Sequence, residues 1–143
     1  MPFLSVGDIM AQPVIAVCDH ESIADAYRVM VEKNCRHVPV VNKDREVVGI
    51  ISDRDLMQAM MGEDLMAIGV AELILLLQDH PVTAVMSSDP ETVDIDTPLT
   101  MACQLMLDNK FDSLLVLDGE RLAGMLTSTD ILRAMAGSNL AEA

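Results

Sequence analysis

Gly49-Ile50-Ile51-Ser52-Asp53-Arg54-Asp55-Leu56 returns 75 positions later as Gly124-Met125-Leu126-Thr127-Ser128-Thr129-Asp130-Ile131. Both copies read glycine, two apolar residues, a hydroxyl residue, two further residues, an aspartate and an aliphatic. The apolar pair predicts a buried strand, and the periodic run beyond the aspartate (Leu56, Met57, Met60; Ile131, Leu132, Met135) predicts a helix. A hydroxyl and a carboxylate therefore stand together at a strand-to-helix junction, twice. The pattern fits a capping box, in which the side chains satisfy orphan backbone N–H groups. It equally fits a ligand site: a helix N-terminus attracts phosphate, and a carboxylate accepts hydrogen bonds from two ribose hydroxyls. These residues alone leave both readings open.

Working outward, the rest of the chain repeats too. Ser5 is a predicted N-cap for a short helix through Met10, and Val14-Ile15-Ala16-Val17 reads as a brief strand. Asp19–Ser22 supplies a turn and cap, then Ile23, Ala26, Tyr27, Met30 and Val31 share one helical face. Asn34 stops that helix. Arg36–Val41 and Val47–Ile51 read as strands around a polar turn at Asn42–Arg45. In the second half, Val82–Met86 answers Val6–Met10, and Thr92-Val93 answers Ala16-Val17. Leu99, Ala102, Leu105 and Met106 take the places of Ile23, Ala26, Val29 and Met30, and strands follow at 114–117 and 122–126. The offset is 76 residues before the hairpin turn and 75 after it, so the second hairpin is one residue shorter. A register held over most of the chain identifies an internal duplication.

The fold class is therefore α/β in the α+β sense, with two β-α-β-β-α units, each preceded by a small helix. Half-sized units bury little core alone, so pseudo-two-fold packing is expected. The expected domains are 1–61 for the first unit, 62–81 for an apolar connecting helix and 82–143 for the second. Leu65, Met66, Ile68, Leu73 and Leu75–Leu77 make the connector too apolar for a solvated linker, so it should cover the core or a partner subunit.

Bulk properties narrow the function. Of 143 residues, 51% are hydrophobic but only 2% aromatic, and twelve are methionine, so the core is aliphatic with adaptable fillers. A net charge of −14 argues against sequence-independent nucleic-acid binding and against anionic membranes. The charge is uneven: residues 1–60 hold six basic and nine acidic side chains, residues 82–143 three and ten. Anion binding should favour the first half. Cys18, Cys35 and Cys103 have neither disulfide nor zinc spacing, which points to a reducing, cytoplasmic setting. No secretory signal is evident, and the stretch from Leu65 to Leu77 is too short to span a bilayer.

His20, His37 and His80 are too scattered for a metal site. Asp53 and Asp55 lie two apart on a helical turn, which suits pairing with the helix dipole better than acid–base chemistry. The run Asp89, Glu91, Asp94, Asp96 lacks calcium-loop spacing, and no nucleophile–base arrangement is legible. No enzyme is expected.

The duplicated order, with Asp8-Ile9-Met10, His37-Val38-Pro39-Val40-Val41 and Gly49–Leu56, then Val85-Met86, Leu114–Leu117 and Gly124–Ile131, resembles the tandem cystathionine-β-synthase-type (CBS) domain pair, or Bateman module. The resemblance spans residues 5 to 136. It implies a regulatory module, standing alone, that binds AMP, ADP or ATP in clefts between its units, with Mg accompanying ATP, and that modulates an effector protein. No covalent cofactor is implied. Carried over, Asp55 and Asp130 would hold ribose hydroxyls, and Ser52 and Thr127 would face phosphate, assisted by Arg54 and Thr129. Adenine would lie against Val14, Ile15 and Ala16 in one site and near Thr92 in the other. Arg36, His37, Val38 and Pro39 would form a wall of the first. Two departures weaken the second site for polyphosphate: Asp112-Ser113 replaces Arg36-His37, and Leu115 replaces Pro39. Alternatives are a ligand-independent interaction module, or a binder of S-adenosylmethionine or NAD. The apolar helices after each junction predict a homodimer, a flat disc of four units.

Overall fold

The computed structural model of the chain describes residues 4–12, 14–61 and 70–137. Two three-stranded sheets appear, one per sequence repeat. In the first, β1 (Val17–Cys18) runs parallel to β2 (His37–Val41), which pairs antiparallel with β3 (Val47–Ser52). In the second, β4 (Thr92–Asp94) is parallel to β5 (Ser113–Asp118), and β5 is antiparallel to β6 (Arg121–Thr127). Helices α2 (Ile23–Lys33) and α5 (Leu99–Asn109) make the parallel crossovers, while α3 (Asp53–Met61) and α6 (Ser128–Ala136) follow the last strands. The mixed α+β architecture expected from the repeat is present.

Local chemistry sets the element ends. Ser22 caps α2, accepting the Asp25 N–H at 3.2 Å while Asp25 accepts the Ser22 N–H at 2.9 Å. Asn34 ends the helix in the left-handed region, at φ 50°. In the first hairpin the Asn42 side-chain oxygen accepts the N–H groups of Asp44 and Glu46, both at 2.9 Å. Gly119 serves the shorter second hairpin at φ 70°. Both hairpins carry a register shift at the same repeat position, Val40/Val41 and Val116/Leu117.

Two sequence expectations are corrected. The strand at Val14–Val17 reduces to Val17–Cys18, because only these residues find partners on β2, at Val40 and Val41. The apolar stripe of α2 is narrower than its periodicity: Ile23, Ala26 and Met30 are buried, but Tyr27 and Val31 face outward.

The chain forms two compact units, and each draws on both repeats. The first unit is Ile15–Pro90; the second combines the segment through Val14 with the chain from Glu91 onward. Val82, on the 3₁₀ turn Val82–Ala84 that opens the second repeat, lies in the first unit's core with Val38, Val40, Ile51 and Leu56. Conversely, Val6 and Met10, on and just after α1 (Val6–Ile9), belong to the second unit's core with Leu114, Val116 and Leu126.

The exchange has a steric anchor in the repeated glycine. A β-carbon on Gly124 would stand 2.6 Å from the Met10 sulfur and 2.8 Å from the Ala11 carbonyl oxygen. At Gly49 the same space is taken by the Met86 sulfur and the Ser87 carbonyl, at 2.5 and 2.8 Å. Only glycine lets the incoming backbone bridge to the strand, as Ile50 with Ser87 and Ala11 with Met125 do.

Helix α4 (Val70–Asp79) packs on α2, with Leu77 against the first core, so the described part of the expected connector covers the first unit. The expectations at Leu65, Met66 and Ile68 lie outside the described residues.

Candidate functional site

The two junctions are built alike. β3 ends at Ser52 and α3 starts at the next residue; β6 ends at Thr127 and α6 starts at Ser128. The Asp55 N–H donates to Ser52 Oγ at 3.0 Å, and the Ser52 N–H donates to Asp55 Oδ2 at 2.9 Å. Thr127 and Asp130 repeat this at 3.1 and 2.9 Å. Both capping boxes therefore form. They do not exhaust the carboxylates, however. A carboxylate has about four acceptor sites, and the cap uses one oxygen of each, so capacity for hydroxyl donors remains.

Electrostatics differ between the copies. Asp130 is largely covered, with 12% side-chain exposure, and its Oδ1 lies 3.6 Å from Arg133 Nη1. The first helix turn is more occupied in the first unit. The Asp53 N–H donates to the Arg36 carbonyl at 2.9 Å, and the Ser128 N–H likewise donates to the Asp112 carbonyl at 3.0 Å. But the Arg54 N–H is also closed, by the Asp53 carboxylate at 2.8 Å. The second unit has Ser128 in place of Asp53, so it lacks that carboxylate. Asp53 and Asp55 both stand in the first turn of α3, and the Asp53 carboxylate occupies the Arg54 amide there.

Of the sequence-derived site residues, Ile15, Ala16, Arg36, His37, Val38, Pro39, Ser52, Arg54 and Asp55 fall in the first unit; Val14, Thr92, Thr127, Thr129 and Asp130 fall in the second. His37 sits directly across the β2–β3 ladder from Ser52, and Ser113 across from Thr127. Val38 and Pro39 are fully buried, so their side chains serve packing. Arg36, Arg54 and Thr129 are exposed and free to reach a ligand, and Ile15 and Thr92 are exposed as well.

Other chemistry is sparse. Among the described residues no cluster of His, Cys, Asp and Glu could hold a metal. Burial pushes the Cys35 thiol up, against the opposing pull of the Cys35 and His37 backbone amides. No described helix is long and apolar enough to cross a membrane.

The CBS domain pattern matches residues 6–62 and again 82–137. The chain belongs to the CBS domain family. An uncharacterised 17.7 kDa protein of Acidianus ambivalens is 30% identical over 131 residues, covering 91% of this chain and 72% of that one. Homoserine O-acetyltransferase of Methanohalobium evestigatum is 29% identical over 129 residues, covering 90% of this chain but only 23% of the enzyme. Among solved structures, CBSX2 in complex with AMP is 32% identical with a TM-score of 0.75, covering 92% of this chain and 96% of that one. The CBS domain pair of MJ0100, in complex with 5′-methylthioadenosine and S-adenosyl-L-methionine, is 26% identical with a TM-score of 0.74, covering 95% and 98%. This CBS pair thus resembles others that hold adenosine-type ligands.

Proposed function

We propose that this CBS pair is a regulatory sensor that binds an adenosine nucleotide at its junctions and changes a partner protein's activity by population shift. The observation that carries the reading is the half-buried, duplicated carboxylate, Asp55 and Asp130, with acceptor capacity left beyond the cap. The adenosine-type ligands of the two CBS relatives support the ligand class. In this reading Asp55 and Asp130 take the ribose hydroxyls. Ser52 with Arg54, and Thr127 with Thr129, face the phosphates, and Mg accompanies ATP. Arg36 and Arg54 favour the more highly charged nucleotides at the first junction. No catalytic step is assigned to the chain. It acts as a homodimer on an effector protein, in a cytoplasmic setting that suits three free thiols.

Isothermal titration with AMP, ADP, ATP, S-adenosylmethionine and 5′-methylthioadenosine tests the proposal. Saturable binding of at least one nucleotide at micromolar to millimolar concentration is expected; no binding of any would overturn it.

A second reading, a ligand-independent interaction module, draws on one specific observation. Both hydroxyl–aspartate pairs are complete caps without a ligand, and Asp53 places a carboxylate where phosphate would dock. The same titration separates the two.

A further inference from the structure

We infer that Arg133 decides which adenosine ligands the second junction accepts: it holds Asp130 against a neutral nucleoside and turns to the anion of a charged one. The inference deepens the nucleotide reading and rests on it.

The two repeated aspartates differ at one oxygen. At both, Oδ2 accepts the N–H of the capping residue, Ser52 or Thr127, at 2.9 Å. Among the described residues Asp55 Oδ1 has no further partner, whereas Asp130 Oδ1 lies 3.6 Å from Arg133 Nη1. The repeat explains the difference. Arg133 stands three residues beyond Asp130, where the first unit has the neutral Gln58 beyond Asp55. Helical side chains lean toward the N-terminus of their helix, so an arginine at this position is turned back onto the junction.

A ribose diol offers two donors and is held best when both carboxylate oxygens accept. At Asp130 a nucleoside must therefore share Oδ1 with the guanidinium or displace it. The Asp130 side chain is 12% exposed and held by its cap, and that of Arg133 is 74% exposed, so the arginine is the partner that moves. An exposed ion pair of this kind is weak, and it yields readily once the arginine has another anion to meet. The start of α6 has room for one. The Ser128 N–H is taken by the Asp112 carbonyl and the Asp130 N–H by Thr127 Oγ1. Among the described residues the Thr129 N–H between them is open, unlike the Arg54 N–H that Asp53 closes in the first unit. A phosphate on that amide would draw the guanidinium from Asp130, and the freed Oδ1 would take the ribose. A neutral nucleoside brings no such anion, and meets Arg133 still in place.

The test titrates AMP and adenosine into the whole chain carrying Asp55→Asn, so that the second junction is the site read. AMP should bind at least about tenfold tighter than adenosine, through charge-assisted bonds to its phosphate. Arg133→Gln, which copies the first unit, should cut that preference by about tenfold, because adenosine gains an oxygen while AMP loses a cation. Arg133→Lys keeps the charge and should keep most of the preference. Arg121→Gln, at the far end of β6, removes a charge away from the junction and should keep all of it. No preference for AMP at the outset, a preference that survives Arg133→Gln, or one that falls as far with Arg121→Gln overturns the inference and leaves the nucleotide reading standing. So does an Asp55→Asn chain that binds neither ligand while the parent binds AMP. A parent chain that binds no adenosine ligand removes the nucleotide reading, and the inference falls with it.

Discussion

Met86 occupies the space that a side chain at Gly49 would need: its sulfur stands 2.5 Å from where a β-carbon would sit, and the Ser87 carbonyl stands 2.8 Å away. A methionine tip can swing aside, but the carbonyl belongs to a bridge in which the Ile50 and Ser87 N–H groups exchange hydrogen bonds at 3.0 and 2.8 Å. Gly49→Ala should therefore displace the incoming backbone. Overpacking of this kind costs about 1–3 kcal/mol. Gly124→Ala should cost a similar amount, since Met10 and Ala11 repeat the arrangement. Chemical denaturation of both variants provides the check.

The exchange of segments makes the second prediction. Met10 is buried in the second unit, and the Ala11 N–H donates to the Met125 carbonyl at 2.8 Å. Met10→Ala should destabilise by about 2–5 kcal/mol, as buried Met→Ala changes do. Its first effect should be in the second unit: hydrogen exchange should accelerate in β6 before β3, although Met10 belongs to the first repeat. Equal acceleration in both sheets would contradict it.

These two relationships mark what the sequence could and could not convey. The duplication was legible because each apolar period maps directly onto an element: Ile23, Ala26 and Met30 line one face of α2, and Ala102 and Met106 line the same face of α5. The site phrase was legible because a hydroxyl three residues before an aspartate has few places to go but a helix start. The segment exchange was not, because which strand a short helix docks against is a long-range choice that no local period encodes. Val14–Ala16 look like strand by composition, but strand length is fixed by the partner, and β2 offers only Val40 and Val41. Tyr27 and Val31 continue the helical stripe in sequence, yet the core ends before it reaches them. Arg54's closed amide was hidden as well, because it depends on how Asp53 folds back at the helix start.

Cys35 gives a pH prediction. Desolvation raises its pKa in the folded state, so the thiolate fraction at neutral pH is lower than for a free cysteine. A group whose pKa rises on folding stabilises below its unfolded pKa, and that contribution fades as pH climbs through the folded pKa. Alkylation of Cys35 by iodoacetamide should therefore be slow in native protein at pH 7. It should accelerate only under alkaline conditions above the range where an exposed cysteine reacts. Mass mapping of modified peptides across pH reads this directly, and rapid labelling of Cys35 at pH 7 would contradict it.

Asp53 offers a test of phosphate docking at the first junction. Its carboxylate closes the Arg54 amide, and under the proposed nucleotide reading it also adds negative charge where a phosphate would approach. Asp53→Ser copies the second unit, where Ser128 holds that place. If the nucleotide reading holds, ATP should bind the variant more tightly, by about threefold to tenfold, with a smaller gain for AMP. Restoring one amide and removing one repulsive charge accounts for about 1 kcal/mol. The helix dipole loses a favourable partner at the same time, about 0.3–1 kcal/mol, so stability should fall slightly while affinity rises. Titration and thermal melting together separate the two effects.

The two aspartates decide whether the caps are also a binding site. Asp55 and Asp130 each accept one backbone N–H through Oδ2, and asparagine can keep that bond through its side-chain oxygen. If capping were their only role, Asp55→Asn and Asp130→Asn would leave nucleotide affinity unchanged and cost little stability. If each carboxylate also holds ribose hydroxyls, losing the charge weakens hydrogen bonds worth about 1.5–3 kcal/mol, and affinity should fall at least about tenfold. The loss for ATP should be greater at Asp55, which has Arg54 and Arg36 nearby in sequence and fold, than at Asp130, where Thr129 and Asp112 stand instead. Asp130→Asn should show the greater change in melting, because it also gives up the Arg133 ion pair 3.6 Å away. That pair is exposed on the arginine side, so the added cost stays within about 1 kcal/mol. A 2′-deoxyadenosine ligand should bind the parent protein as poorly as the ribose ligand binds the Asp55 variant. Unchanged affinity in both variants would return the two aspartates to capping alone and favour the interaction module.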